Sequence, residues 1–206
     1  MPRLNHRQLI GLALLFSYAQ AAAADWSFEF KLGRLESAEE QWSDFYDNDR
    51  MPAYAVALAY RVTRQIEVGF EVGYLTDDGK GFAPGHGILA GNVGYRLYPM
   101  HLQLTLRGQF YPDQWLVPYV GAGASRLRYE IETERQPEIT GATDGYQYRA
   151  GLQLLLDNFD GSSAAYMEDF GIESTYFFIE AQRIEASLNG TELGGTAYLA
   201  GFQFLF

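Results

Sequence analysis

The chain has 206 residues, with 15 Lys and Arg against 26 Asp and Glu, 15 Tyr, 14 Phe, 3 Trp, 22 Gly and no Cys. That length bounds the molecule to one domain. The absence of Cys excludes disulfides and thiolate metal sites, and the acidic balance excludes nucleic acid, which needs a basic face.

Arg3 and Arg7 precede an apolar run over 9–18, and Ala21, Ala22, Ala23 and Ala24 supply small residues before Asp25. This order is that of a secretory signal peptide, and the run is too short to span a bilayer as a helix. No Cys follows it, which excludes a lipoprotein anchor. With residues 1–24 removed, the expected mature domain, 25–206, holds 13 bases against 26 acids, a net charge of −13.

Beyond residue 24 no apolar run reaches about 18 residues, the length that a transmembrane helix needs. The periodicity is instead two, as in strands that send alternate side chains to opposite faces. Over 26–34, Trp26, Phe28, Phe30 and Leu32 oppose Ser27, Glu29, Lys31 and Gly33. Over 53–62, Tyr54, Val56, Leu58, Tyr60 and Val62 oppose alanines and Arg61. Over 66–74, Ile66, Val68, Phe70, Val72 and Tyr74 oppose Glu67, Gly69, Glu71 and Gly73. Over 101–111, Leu102, Leu104, Leu106, Gly108 and Phe110 oppose Gln103, Thr105, Arg107 and Gln109. A further strand is read over 115–131. Over 146–156, Tyr146, Tyr148, Ala150, Leu152, Leu154 and Leu156 oppose Gln147, Arg149, Gly151 and Gln153. The strand over 170–188 slips phase near Phe177 and Phe178, where a bulge is expected. Over 196–206, Tyr198, Ala200, Phe202, Phe204 and Phe206 share one face.

Apolar faces ending in aromatics, opposite faces with charge in mid-strand, describe lipid on one side and an enclosed lumen on the other. A soluble sandwich also alternates but explains neither feature. The expected fold is therefore all-β, a transmembrane antiparallel up-and-down barrel in the outer membrane of a Gram-negative bacterium. Residues 63–65 and 112–114 fit periplasmic turns; 35–51, 76–100, 132–143 and 189–195 fit extracellular loops. Both termini then lie in the periplasm, which requires an even number of strands. Residues 87–98 also alternate, with Leu89, Val93, Tyr95 and Leu97 on one side, and counting them gives nine. Eight strands are expected, with 87–98 as a strand-like part of the second extracellular loop; ten is the alternative.

Residues 115–129 read WLVPYVGAGASRLRY. The PYVGAG core, Pro118 to Gly123, following a short PDQ turn, resembles the fifth strand of OmpW-like and related OmpA-type small outer-membrane barrels. The signal peptide, the strand spacing and the terminal Phe206 share the resemblance. It implies the barrel fold, a C-terminal aromatic read by the barrel-assembly machinery, and passage or binding of small apolar molecules through a largely hydrophobic lumen. Function does not follow from fold alone, and this sequence departs from a greasy conduit: its inferred lumen residues are Glu29, Lys31, Arg61, Glu67, Glu71, Arg107, Arg149 and Glu173.

An interior of about eight strands is just wide enough for side chains to fill it, and buried charges must pair. A plugged barrel with an internal salt-bridge network is the leading reading: non-enzymatic, structural or interactive, in contact with outer-membrane lipid and lipopolysaccharide, without cofactor. The alternative is a narrow channel for small solutes, hydrophobic ones by the OmpW-like resemblance, and the third a lipid-modifying enzyme. An enzyme of that kind needs a histidine within reach of a nucleophile. The mature chain offers only His86, in a loop near Asp77 and Asp78, and His101, with no serine nearby in sequence. In the first loop Asp44, Asp47 and Asp49 are weak candidates for a hard cation such as Ca²⁺, and Trp42, Phe45 and Tyr46 for an adhesion surface.

Overall fold

The computed structural model describes residues 25–38, 42, 50–83, 87–133, 137–159, 166–167 and 169–206. The expected signal segment 1–24, His86, Phe45, Tyr46 and the cation candidates Asp44, Asp47 and Asp49 lie outside the described residues.

Among those described, eight strands form one antiparallel sheet: β1 (Asp25–Ser37), β2 (Arg50–Thr63), β3 (Ile66–Ala83), β4 (Gly87–Arg107), β5 (Leu116–Thr133), β6 (Ile139–Leu155), β7 (Ser174–Leu188) and β8 (Gly195–Leu205). Each pairs with the next, and β8 pairs back with β1, which closes the barrel and leaves no edge. The start of β1 and the C-terminus meet at one end, here the near end, where the Phe206 amide donates to the Trp26 carbonyl at 2.9 Å. At the far end β7 turns into β8 through Asn189 (φ 52°) and Gly190 (φ 85°). Positive φ at both central residues is the hairpin turn that Asn-Gly favours, because it matches the twist of the flanking strands.

The count of eight stands, but the loops are shorter than the sequence predicts. The segment 76–100 is not a loop: 87–98 and 101–107 are one 21-residue strand, β4, paired with an 18-residue β3. β5 likewise runs 18 residues, so part of the expected 132–143 loop is strand. A tilted strand crosses a bilayer in about 9–11 residues, so these hairpins project beyond the lipid at the far end. The expected bulge in 170–188 is absent. β7 begins at Ser174 and pairs in unbroken register with β6 and β8 through Phe177 and Phe178. Two adjacent aromatics are both accommodated because Phe177 faces outward and Phe178 faces the interior.

The outward face carries Trp26, Phe28, Phe30, Leu58, Phe70, Leu102, Leu104, Leu106, Ile179 and Phe202, all exposed. Large apolar side chains on the outside and polar ones within invert a soluble protein's arrangement and suit a hydrocarbon solvent.

Candidate functional site

The interior is layered. At the near end Val117, Leu155, Tyr176 and Leu205 form a small apolar cluster. In the far half, Leu35, Met51, Leu75, Val93, Tyr95, Leu97, Leu127, Tyr129, Ile131 and Ile184 form a second, larger one. Trp42 closes it, 2% exposed, with its indole N–H donated to Asp77 at 3.1 Å and its ring edge-on to Tyr95. Trp42 is therefore part of the far-end core rather than of an exposed adhesive surface.

Between the clusters lies a charged layer. Lys31, from β1, is fully buried and holds three carboxylates: Glu71 at 2.7 Å, Glu180 at 2.9 Å and Glu29 at 3.1 Å. Arg149, from β6, reaches Glu180 at 3.1 Å and Glu29 at 3.3 Å, and donates to the Thr105 hydroxyl at 2.8 Å. The Tyr119 hydroxyl donates to Glu180 at 2.8 Å, and Gln182 to Glu71 at 3.1 Å. Nearer the termini Glu67 accepts from Arg107 at 2.6 Å and lies 3.5 Å from Arg61. Gln203 links the two groups by donating to Glu29 at 3.1 Å and to Glu67 at 3.5 Å. Lys31, Arg149 and Arg107 also stand over the rings of Phe178, Tyr119 and Tyr176, at 5.6, 5.4 and 5.0 Å, where the ring quadrupole favours a cation. Four buried cations thus meet four buried carboxylates, and the layer is neutral as a whole.

Glycines make room for this. A Cβ on Gly121 would come within 3.2 Å of the Arg149 side chain, and one on Gly151 would run into the Tyr119 ring. That is a steric reason for Gly121 in PYVGAG, whose tyrosine is Tyr119.

Of the residues that the sequence assigns to the lumen, the structure places Glu29, Lys31, Arg61, Glu67, Glu71, Arg107 and Arg149 inside, each buried. Glu173 is not among them: it precedes β7 in the near-end connection and is exposed. The interior glutamate of that strand is Glu180, reached by counting inward positions without a slip from Tyr176. Phe206 lies on the outer face at the near end, beyond the last residue of β8.

The structure also brings together a pair that sequence distance hides. His101 and Ser125 are register partners on β4 and β5, and His101 Nδ1 lies 2.7 Å from Ser125 Oγ. Nε2 of the same ring is 3.9 Å from Glu71. Hydroxyl, imidazole and carboxylate stand in the order of a nucleophilic triad, but His101 and Ser125 are buried beneath the far-end core. The cavity beside His101 and Glu71 measures about 20 Å³, room for one water and not for an acyl substrate.

Solved structures with this architecture include the outer membrane protein OprG of Pseudomonas aeruginosa (13% identity, 89% of this chain and 96% of that one, TM-score 0.62). The N-terminal β-barrel domain of Pseudomonas aeruginosa OprF is also similar (15%, 89% and 98%, 0.54). So is Ail, the attachment invasion locus protein of Yersinia pestis (11%, 90% and 100%, 0.52). At these identities the likeness is one of fold. No curated protein matches the chain. Residues 10–204 match the family described as outer membrane protein beta-barrel domain. That match spans most of the chain, the closed barrel of the structure agrees with it, and the chain belongs to this family.

Proposed function

We propose that the protein is a non-enzymatic outer-membrane barrel with a closed lumen, whose role, structural or interactive, is exercised on its far-end surfaces. The observation that carries this reading is the filling of the interior: eight paired charges at mid-height, between apolar clusters at both ends. Removing one partner from such a pair leaves an uncompensated buried charge at a cost of about 3–5 kcal/mol. That favours one closed arrangement over a narrow channel. With both termini at the near end, that end is assigned to the periplasm, and the long hairpins of the far end to the cell exterior.

The test is electrical. The mature chain is refolded into planar bilayers, with folding verified by β-sheet circular dichroism, and its conductance is recorded over a range of salt. A folded, silent barrel is the expected result. Steady discrete openings, altered by Arg107→Gln or Glu71→Gln, would replace this reading with the narrow channel.

A further inference from the structure

The lipid-facing surface is not evenly filled. Ala150 on β6, Ala181 on β7 and Ala200 on β8 stand among Leu152, Ile179 and Tyr198. They leave two adjoining depressions of about 630 and 430 Å³ that share Ala150 and Ala181. Those two alanines are register partners, so the floor of the furrow is continuous across the strand boundary. The second depression is bordered by Arg183, and the first by Leu32, which Arg34 follows on the same face of β1.

Arg183 also belongs to a wider pattern. On five of the eight strands the first charged side chain beyond the apolar band, at the far end of the outer face, is an arginine: Arg34, Arg50, Arg96, Arg126 and Arg183. In a chain with 26 acids and 15 bases, arginine takes this position more often than an acid does. Four of the five meet a carboxylate: Arg34 and Arg50 lie 3.8 and 3.3 Å from Glu36, Arg96 is 2.6 Å from Glu132, and Arg126 is 3.3 Å from Asp144. Arg183 differs. Its guanidinium donates to the neutral Thr196 hydroxyl at 3.2 Å, and among the described residues it makes no ion-pair contact, although its charge is felt by Glu185. Glu185, next outward on its strand, is engaged by the Tyr148 hydroxyl at 2.9 Å.

We infer that this furrow binds lipid A, with acyl chain laid along Ala150, Ala181 and Ala200 and a phosphate on Arg183. Lipid A carries its phosphates on the same sugars as its acyl chains, so its negative charge sits where hydrocarbon ends, the level that Arg183 occupies. A guanidinium binds phosphate through charge-assisted, potentially bidentate bonds, and a groove floored by alanine admits a chain where leucine would fill the space. The inference rests on the far end facing the outer leaflet and is independent of whether the lumen conducts.

The experiment uses the mature chain refolded in nanodiscs of phosphatidylethanolamine and phosphatidylglycerol. Retention of added bisphosphoryl lipid A, dephosphorylated lipid A or further phosphatidylglycerol is read by native mass spectrometry. Bisphosphoryl lipid A is expected to be retained over both competitors. Arg183→Gln is expected to weaken retention about tenfold, the effect of one bond to a charged group, and Arg183→Lys to restore part of it. Ala181→Leu faces lipid, leaves the core untouched and is expected to weaken retention without any change of charge. Arg126→Gln, on β5, serves as the control and is expected to have no effect. Equal retention of phosphatidylglycerol, or retention unchanged in both Arg183→Gln and Ala181→Leu, would overturn the inference whatever the conductance.

Discussion

Lys31 is the side chain on which the interior depends most. It contributes one charge to three carboxylates and is shut off from water. Lys31→Met is expected to destabilise the folded barrel by about 3–5 kcal/mol, since it leaves buried negative charge without its partner. The double variant Lys31→Met, Glu71→Gln removes one charge of each sign and is expected to recover part of that loss. Urea unfolding from lipid vesicles, followed by tryptophan fluorescence, separates the two outcomes; equal losses in both variants would show that charge balance is not what matters. At this scale the sequence was partly legible. Alternation around Lys31, Glu71 and Arg149 marks them as inward. It cannot say which cation meets which acid, because Lys31 and Glu180 are 149 positions apart. His101 and Ser125 were unreadable as a pair for the same reason: only the β4–β5 register puts them opposite one another.

A strand of this barrel changes surroundings along its length, and β4 shows the effect most clearly. From Val93 to Arg107 its odd-numbered residues face inward. Near the termini they are polar, His101, Gln103, Thr105 and Arg107, while Leu102, Leu104 and Leu106 point out into lipid. Beyond Pro99 the inward residues become Val93, Tyr95 and Leu97, and Arg96 points out. The geometry is constant and the solvent is not: outside lies hydrocarbon in the first stretch and water in the second, so the apolar face changes sides. A reading by hydrophobic phase alone therefore divides one strand into two segments and takes the upper one for a loop. In β7 the opposite confusion arises, because the inward residues Tyr176, in the near-end apolar cluster, and Phe178, beneath Lys31, are as aromatic as the outward Phe177, and an unbroken strand looks bulged. Cysteine accessibility tests this account. Leu97→Cys and Leu127→Cys are expected to stay unreactive toward a water-soluble maleimide, whereas Arg96→Cys and Arg128→Cys react on intact cells. Labelling of Leu97→Cys in the folded protein would refute a sealed far-end core.

For the molecule as a whole, the two apolar layers and the charged one are separate barriers stacked along one axis. Removing one should leave the others in place. Trp42→Ala is expected to cost about 3–5 kcal/mol, as for other large buried aromatics, and to expose the far-end core without producing conductance, since the ion-paired layer below is intact. Bilayer recordings of that variant beside the parent protein check this, and openings in the variant alone would make Trp42 the sole seal. The barrel and its outer face were foreseeable from alternation, whereas the count of eight came from the even number that two periplasmic termini require, since alternation alone gave nine segments by splitting β4. The far-end plug was not, because its members come from seven strands and from the connections that hold Trp42 and Leu193, and no local pattern joins them.

The mid-height network has a consequence for how such a barrel is made. Its ion pairs join the first strand to the sixth and seventh: Arg149 to Glu29, Lys31 to Glu180. In hydrocarbon β1 alone could pair Lys31 only with Glu29, while Glu71, Arg149 and Glu180 on later strands would each lack the partner that the closed interior supplies. Strands added to the bilayer one at a time would each carry uncompensated charge across it. The seam between β1 and β8 must therefore be drawn together before, or as, the wall is committed to lipid, so that biogenesis passes through a nearly complete cylinder rather than a growing sheet.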